Sequence, residues 1–490
     1  MIDRIWERLS TRLTQTRILL VSLLTLLAGT LRIAGLGYPN RLMFDETYYV
    51  KDAYTQWILG YASKWPSGYD DSWNAGILDG FFSDPSYIAH PPMGKWMIGA
   101  GMAVFGADNS FGWRIAGAVA GTLIIPLIFV IALLITKSTI VATLAGYMLA
   151  IDGNAIVMSR IALLDIHLAF LLVLATLTLL MDTKHRTKKW RPWLLATGVI
   201  LGLACSVKWS AIWFVAAFGI WVVVRDWEAL KLSAKRFWLL KGLRLGAINF
   251  VYMVAFAALA YLSTWLGWFL SDSGWDRQWS VNNGGPDGIS GAFLSLLHYH
   301  QSILNWHVGL DSHHSSMAPA WTWPLLLRPS IMYVDRPAEC ANECIGFISN
   351  LPNPLLWYAA IAAIIVLLWM LMRGTFRGNY WLVLVAFGAG FVPWLLFPER
   401  TTFFFYTIAF QPFLYLALAI VIKRIIGSAS DSVYRRQPAL LGLGMFLGLA
   451  TALSVFWYPL WTGWEVHRIF WSIHQWLPGW TNDIFPVVAS

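Results

Sequence analysis

The sequence predicts an all-α polytopic integral membrane protein, and three observations support this fold class. Of the 490 residues, 58% are hydrophobic and only 12% are charged, whereas a soluble domain carries about 25% charged residues. Apolar runs of roughly 17–25 residues recur from end to end, the length needed to cross a hydrocarbon core of about 30 Å. The basic residues behind the net charge of +9 fall between these runs, so they indicate membrane topology rather than nucleic-acid binding.

Eleven apolar segments are predicted to span the membrane. The first could be mistaken for a signal peptide, but its apolar run is as long as a span and no A-x-A-like cleavage site follows closely, so we interpret it as an uncleaved helix. The predicted spans are residues 18–36, 114–136, 138–157, 160–181, 193–208, 210–225, 243–270, 355–372, 379–397, 403–422 and 437–459.

The basic clusters predict the orientation of these spans. All of them fall on one side of the membrane, at residues 4–17, 184–191, 231–244, 373–377, 423–424 and 435–436. The positive-inside rule makes that side the cytoplasm. The N-terminus is then cytoplasmic, and two long loops, 37–113 and 271–354, lie outside together with the tail 460–490. We therefore expect one membrane domain over residues 1–490, located in the plasma membrane.

Each outer loop carries a local feature. In the first loop, the second half of "HPPMGKWMIGAGMAVFG" predicts a helix that lies along the membrane interface. In the second loop, Cys340 and Cys344 are four residues apart. This spacing permits a disulfide if the compartment is oxidising, and a reduced pair is the alternative.

Ionisable residues in or beside the predicted spans gather at the outer face. Such residues are costly to hold there and are therefore candidates for function. A proton or ion pathway would instead distribute polar residues through the bilayer. Besides five histidines of the second loop, the group comprises Arg32, Asp45, Glu46, His90, Lys95, Arg114, Asp165, His167, Lys208, Arg328, Glu399 and Arg400.

This arrangement suits attack on a lipid-linked sugar phosphate. The lipid tail needs the bilayer, and the sugar-phosphate head then lies at the interface beside these side chains. Arginine and lysine can hold the charge that develops on the leaving phosphate, so no general acid is required. The attacking hydroxyl needs one carboxylate base within hydrogen-bond reach.

Two adjacent carboxylates, in "MFDETYY", are candidates for that base. Asp45 and Glu46 diverge whether the segment is helical or extended. One can therefore be the base while the other pairs with a cation or orients a substrate. The alternative is that both are interfacial salt-bridge partners, for instance of Arg32.

The sequence favours neither a metal nor a cofactor. Five histidines between residues 298 and 314 suggest zinc, but their spacing matches no strong template and no nearby Cys or Glu pattern supports one. We expect them to cap helices or bind sugar and peptide hydroxyls. Cationic side chains would make a divalent ion at Asp45 and Glu46 unnecessary. Asp165 and His167 could instead satisfy backbone groups at a helix end.

Seven segments along almost the whole chain resemble the bacterial protein O-mannosyltransferases, GT-C-fold relatives of the eukaryotic enzymes. The segments are "RIAGLGYPNRLMFDETYYVKDA", "HPPMGKW", "FGWRIAGAVAGTLIIPL", "SRIALLDIHLAFL", "GLACSVKWSAIW", "WHVGLDSHHSSMAPAWTWPLLLRP" and "NPLLWY". The resemblance implies a GT-C fold of eleven spans. It also implies inverting transfer of mannose from polyprenyl-phosphate-mannose to Ser or Thr of secreted or membrane proteins, with the protein secretion channel as a candidate partner.

The resemblance also implies roles for individual residues. Asp45 is the expected general base, and Glu46 is a positioning residue for which Arg32 is one suggested partner. Lys208 is a candidate phosphate ligand. The expected substrate-binding residues are Arg32, His90, Lys95, Arg114, Asp165, Lys208, His307, His314, Arg328 and Arg400.

Two departures from the family pattern affect these expectations. The second outer loop, at about 84 residues, is too short for the β-trefoil (MIR) domain of the eukaryotic members, so acceptor selection cannot rely on that module. The sequence "DSHHSS" also departs from the more usual His-x-Tyr pattern. His313 is therefore an alternative to His314.

Two other functions stay open at this point. Another polyprenyl-phosphate-sugar transferase of the same fold would modify a glycolipid such as lipid A rather than a protein. A transporter or lipid flippase belongs to a different class. The one-sided polar cluster, the large outer loops and the lack of repeat symmetry argue against it.

Overall fold

The computed structural model describes residues 2–183, 186, 190–233, 238–337, 340, 343–428 and 430–481. The N-terminal part contains α1 (Ile2–Ile33), α2 (Glu46–Leu59), α3 (Asp70–Asn74), α4 (Met93–Phe105) and α5 (Ser110–Thr136). Next come α6 (Thr139–Ala150), α7 (Gly153–Arg160), α8 (Leu164–Asp182), α9 (Pro192–Val207), α10 (Ile212–Ser233), α11 (Trp238–Phe250), α12 (Phe256–Ser263) and α13 (Leu266–Leu270). The remainder contains α14 (Trp279–Asn282), α15 (Gly288–Val308), α16 (Pro354–Met372), α17 (Trp381–Phe391), α18 (Gln411–Ile426), α19 (Val433–Thr462) and α20 (Arg468–Ser472).

Each of the eleven predicted spans coincides with helical structure. In the part of the chain that the structure describes, eight helices are long and apolar enough to cross a membrane, and the pair α6–α7, bent by 58°, would make a ninth. The two remaining predicted spans correspond to the shorter helices α9 and α18, each of 16 residues. Parts of two basic clusters, 184–191 and 231–244, and the last residues of the predicted tail lie outside the described residues.

The bend between α6 and α7 is centred on Asp152. Its carboxylate accepts a hydrogen bond from the backbone N–H of Ala155 at 3.1 Å, so α7 begins there with its own N-cap. Three further donors reach the same carboxylate: the backbone N–H of Asn353 at 3.0 Å, and the side chains of Gln411 and Tyr415, each at 2.6 Å. These donors satisfy a fully buried carboxylate, as a broken helix inside a membrane protein requires.

Two glycines allow α9 to pack closely against the helical segment of residues 251–263. A Cβ atom on Gly202 would lie 2.1 Å from the carbonyl oxygen of Ala257, and one on Gly198 would lie 2.4 Å from that of Tyr252. Only glycine permits this approach, and its spacing of four residues is typical of close helix contacts in membranes. The contact fixes the end of α9, after which Lys208 follows.

A three-stranded antiparallel sheet, which the sequence analysis did not predict, is formed by the predicted second outer loop and the segment after α19. β1 (Ile331–Asp335) pairs with β2 (Cys344–Ser349), and β2 pairs with β3 (Glu465–His467). A disulfide joins Cys340 to Cys344 in the connection between β1 and β2. Because β3 follows the last long helix, the sheet ties the second outer loop to the C-terminal segment.

Candidate active site

Asp45 lies at a sharp turn before α2. The preceding residue, Phe44, has a φ of 49°, a conformation that costs a non-glycine residue about 1 kcal/mol or more. Asp45 is the N-cap of α2, but its side chain makes no capping hydrogen bond. Among the described residues, no hydrogen bond or ion pair engages its half-buried carboxylate. This carboxylate is therefore available to accept a proton.

The surroundings of Asp45 give it the protonation behaviour of a base that works near neutral pH. Burial raises its pKa to about 6, the positive charge of Lys208 opposes this rise, and the negative charge of Asp165 adds to it. Desolvation dominates because the charged carboxylate loses its hydration. At pH 7 the group is mostly ionised and still basic enough to take a proton from a hydroxyl as that hydroxyl attacks.

The carboxylate of Glu46, unlike that of Asp45, accepts hydrogen bonds from several donors. Its two oxygens accept hydrogen bonds from Nε and Nη2 of Arg114, both at 2.8 Å. The backbone N–H groups of Ala162 and Met43 donate to the same carboxylate at 2.8 Å and 3.0 Å. Glu46 and Arg114 are both inaccessible to solvent. Glu46 therefore fixes the turn that carries Asp45 rather than contacting substrate.

The suggested pairing of Glu46 with Arg32 is wrong. The buried Arg32 guanidinium donates instead to the Ser159 hydroxyl at 3.2 Å and to three backbone carbonyl oxygens. Those oxygens belong to Ala28 of α1 and to Leu149 and Ala150 at the end of α6. Carbonyl groups left without partners where α6 ends account for this arrangement. Arg32 therefore stabilises the bend between α6 and α7, whereas Arg114 is the cation that pairs with Glu46.

Lys208 and Asp165 form a buried ion pair beside the base. Lys208 Nζ lies 2.9 Å and 3.1 Å from the two carboxylate oxygens of Asp165. The same ammonium group lies 3.9 Å from the centre of the Tyr406 ring. Asp165 is in the first turn of α8, and Lys208 leaves α9 in an extended conformation. The structure thus brings two predicted site residues together and adds Tyr406, which the sequence analysis missed.

A cavity of about 440 Å³ extends from Lys208. Its charged and histidine lining residues are His90, Lys208, His307, Asp311, Glu399 and Arg400. Its remaining wall is largely apolar and includes Ile212, Trp213, Leu304, Val308, Leu396 and Phe397. Several of these apolar side chains are strongly exposed, among them Ile212 (58%) and Leu396 (69%). The basic groups of Lys208 and Arg400 beside an apolar wall suit a ligand with an anionic head and a hydrocarbon tail.

His307 and Arg400 are coupled in this cavity. Arg400 donates from Nε to the carbonyl oxygen of His307 and from Nη2 to its Nδ1, both at 3.1 Å. His307 Nε2 then donates to the carbonyl oxygen of Ala89 at 3.0 Å. Burial, and secondly the charge of Arg400, lower the pKa of His307 to about 4. His307 is therefore neutral at physiological pH and orients Arg400 without adding charge.

His90 is a buried residue of the cavity whose ring has an unpaired nitrogen. It lines the cavity and is only 8% exposed, and within the described part of the chain its Nδ1 has no hydrogen-bond partner. Burial, followed by the charge of Lys208, holds its pKa well below the usual value. Lys95 donates to the backbone carbonyl of His90 at 3.0 Å and lies 3.7 Å from Asp52. Lys95 therefore supports the histidine rather than lining the cavity.

The two remaining predicted residues lie apart from this cavity. His314 Nδ1 accepts a hydrogen bond from the backbone N–H of Ser316 at 3.0 Å. Its ring packs edge-on against Phe44 and Phe403, with centroids 5.7 Å and 5.2 Å apart. Arg328 is half-buried just ahead of β1 and is not among the residues that line the cavity.

Two of the other loop histidines, His298 and His300, have local partners. His298 lies 2.9 Å from Asp276, and His300 Nε2 lies 2.7 Å from the Tyr261 hydroxyl. Trp209, a cavity residue that the sequence analysis missed, donates to that hydroxyl at 3.1 Å. In the described ranges, no group of three or more His, Cys, Asp or Glu residues could hold a metal ion.

Comparison with known proteins identifies the family. Residues 22–267 match the family model described as dolichyl-phosphate-mannose-protein mannosyltransferase. The chain is 32% identical to the polyprenol-phosphate-mannose–protein mannosyltransferase of Mycolicibacterium smegmatis (strain MKD8), over 94% of this chain and 92% of that protein. The chain belongs to this mannosyltransferase family. A relative of the same name from Mycobacterium tuberculosis is 30% identical over 94% of this chain and 91% of that protein.

The solved structures agree with the family at the level of the fold. The Saccharomyces cerevisiae protein O-mannosyltransferase Pmt1–Pmt2 complex, bound to the sugar donor, matches with a TM-score of 0.74 at 14% identity. The match covers 95% of this chain and 92% of that chain. The predicted GT-C fold and the predicted family are thereby confirmed, and the chain is a multi-pass membrane glycosyltransferase.

Proposed function

We propose that this mannosyltransferase moves mannose from polyprenyl-phosphate-mannose to Ser or Thr hydroxyl groups of polypeptides, with inversion at the anomeric carbon. The names of its curated relatives, which match over nearly the whole chain, support this substrate pair. The observation that carries the proposal is the unengaged carboxylate of Asp45. That group is coupled electrostatically to Lys208, which lines the cavity.

The cavity of about 440 Å³, hereafter the donor cavity, suits the donor lipid in three respects. Lys208 and Arg400 supply positive charge for the phosphate, and arginine and lysine are the usual phosphate-binding residues. His90 lines the same cavity, and we expect its imidazole to bind a sugar hydroxyl. The apolar wall can cover the first part of the prenyl chain, whose remainder would lie in the bilayer.

The proposed reaction is a single displacement. Asp45 removes the proton from the acceptor hydroxyl as its oxygen bonds to the anomeric carbon. The bond between that carbon and the phosphate oxygen breaks, and its electron pair remains on the polyprenyl phosphate. Lys208 and Arg400 stabilise the negative charge that collects there. No protonation of the leaving group is needed, because a phosphate is already a good leaving group.

We further propose that the site faces the outside of the plasma membrane, as the basic clusters of the sequence predict. A secreted or membrane polypeptide would meet the site there as it leaves the secretion channel. The disulfide between Cys340 and Cys344 in the second outer loop is consistent with an oxidising compartment.

The decisive experiment is mannose transfer by purified protein in detergent, from radiolabelled polyprenyl-phosphate-mannose to a Thr-containing peptide. Asp45→Asn keeps the size of the side chain but removes the base, so we expect the rate to fall about 10²–10⁴-fold with donor affinity unchanged. Asp84→Asn, which neutralises an exposed carboxylate of the same loop, is the matched control and should keep the wild-type rate.

Two outcomes would contradict this account. A near-normal rate in Asp45→Asn would exclude Asp45 as the base. Labelled glycolipid in place of labelled peptide, made by folded wild-type protein from a membrane extract, would show that this chain belongs with the glycolipid transferases of the same fold.

A further inference from the structure

A second, smaller cavity is lined in part by Phe44, the residue before Asp45. Its volume is about 300 Å³, and it is lined by Phe44, by residues 314–316 and by residues 331–334. The last four are consecutive residues of β1. Because successive side chains of a strand point to opposite faces of a sheet, four consecutive residues can line one cavity only along the strand's edge.

That edge of β1 has no strand partner, and residues 333–335 are partly accessible whereas Ile331 and Met332 are buried. The sheet order is β1-β2-β3, so β1 pairs on one side only. Within the described residues, no backbone hydrogen bond joins residues 331–335 to a segment other than β2. A strand edge without a partner presents unpaired N–H and C=O groups in a row and, where it is accessible, is a template for another extended chain.

A series of side-chain contacts connects this edge of β1 with Asp45 and Lys208. Phe44, which lines this cavity, is the residue before Asp45 and packs edge-on against Phe405 at 5.7 Å. Phe405 in turn lies 5.6 Å from Lys208 Nζ. The far end of the strand is also tied to the first outer loop, since Arg41 lies 3.9 Å from Asp335. A polypeptide that follows β1 therefore passes Phe44, the residue next to the base Asp45.

We propose that the acceptor polypeptide binds as an added β-strand along the free edge of β1, with the reacting Ser or Thr placed at Phe44 and Asp45. This inference rests on the proposed function and specifies how the acceptor is held. Recognition through the acceptor backbone tolerates many sequences, because the hydrogen bonds do not depend on side chains. Side chains on one face of the added strand would contact His314 and Ser315.

The first test is a backbone N-methyl scan of a Thr-containing acceptor peptide. In an added strand, only every second N–H points to the partner strand. We therefore expect N-methylation at alternate positions to raise the KM about 5–10-fold, with little change at the positions between. A flat profile, or one without a period of two, would overturn the proposal.

A second test locates the acceptor. Ser315→Cys should form a disulfide with an acceptor peptide that carries a cysteine beside its Thr, whereas Ser290→Cys, exposed in α15, should not. Equal cross-linking at both positions would overturn the proposal. Ser315→Cys cross-links between two copies of the chain that acceptor peptide does not displace would assign the edge to self-association instead.

The two proposals fail in different ways. N-acetylthreonine methylamide is too short to pair with a strand but carries the hydroxyl. If neither this compound nor the peptide is mannosylated by folded protein, the proposed function fails. If the peptide is mannosylated but the scan is flat, only the docking of the acceptor on β1 is overturned.

Discussion

Asp45 and Glu46 are neighbours in the chain, yet their carboxylates are suited to different tasks. Glu46 accepts two hydrogen bonds from Arg114 and two from backbone N–H groups. Asp45 makes none among the described residues. Helix α2 begins between them, so one side chain points into the packed bundle and the other is left beside Lys208 and Asp165. A base held next to a fixed neighbour keeps its position without giving up its lone pairs.

Neutralising Glu46 should destabilise the protein without directly removing the base. Glu46→Gln leaves the Arg114 guanidinium buried without its counterion, and loss of one partner of a buried pair costs about 3–5 kcal/mol. We expect a melting temperature in detergent several degrees below that of the wild type. Asp45→Asn should melt at the wild-type temperature. A lower melting temperature in Asp45→Asn than in Glu46→Gln would contradict these roles.

The pH dependence should report the raised pKa of Asp45. Only the ionised carboxylate can accept a proton, so kcat/KM should be constant above the pKa of about 6 and fall tenfold per pH unit below it. The measurement is peptide mannosylation between pH 4.5 and 8 at low substrate concentration. The residual kcat/KM of Asp45→Asn should not show this decrease below about pH 6. A midpoint near 4 would mean that the base is a well-hydrated carboxylate.

At the scale of elements, the glycines of α9 set the position of Lys208. Gly202→Ala would place a methyl group 2.1 Å from the carbonyl oxygen of Ala257. The helices must then separate, which typically costs 1–3 kcal/mol. We expect a lower melting temperature and weaker donor binding. Gly444→Ala in α19 meets no atom within 4 Å and should be neutral or slightly stabilising. Equal effects of the two variants would exclude the packing argument.

The helices were predictable from sequence, whereas the sheet and the bend were not. Runs of apolar residues specify helices in a membrane directly, because the backbone must satisfy its own hydrogen bonds there. β1 and β2 have only five and six residues, and β3 lies more than 100 residues further along the chain. Such a sheet depends on contacts that no local pattern records.

In the candidate active site, too, residue types could be predicted from sequence, whereas contacts between distant residues could not. The types of residue, their order and their gathering at one face predicted Asp45, Asp165, Lys208, His90, His307 and Arg400, which the structure places in or beside one cavity. The partner of Glu46 was missed because Arg114 is 68 residues away and only packing decides which buried cation reaches it. Tyr406 was missed because its segment, "FFFYTIAF", does not distinguish a site residue from a core aromatic.

At the scale of the molecule, buried charges occupy both ends of α8. Asp165 begins the helix beside the active site. Asp182 ends it in a second buried group, where Arg191 and Arg225 bond to Asp182 and Asp226. Seventeen residues of helix, about 26 Å, separate the two carboxylates. Arg191 belongs to a basic cluster that the sequence assigns to the cytoplasm. The two groups therefore mark opposite membrane faces on the proposed topology.

The orientation can be measured with single cysteines. Ser290→Cys lies in the second outer loop, and Ser430→Cys lies between α18 and α19, and both native side chains are exposed. We expect an impermeant maleimide to label Ser290→Cys in intact cells and Ser430→Cys only after permeabilisation, with the wild type as the background. The reverse pattern would place the active site in the cytoplasm.

The exposed apolar wall of the donor cavity determines which concentration governs the enzyme. Ile212 and Leu396 are exposed residues of this wall and lie on candidate spans. On the proposed function the substrate therefore enters the cavity from the bilayer, where it moves by lateral diffusion. The quantity that saturates the enzyme is then the mole fraction of donor in the membrane, not its molarity in the sample. Adding inert phospholipid at a constant total amount of donor would lower the mole fraction of donor in the membrane and so slow mannosylation. The Michaelis constant for the donor should therefore be expressed in mole per cent.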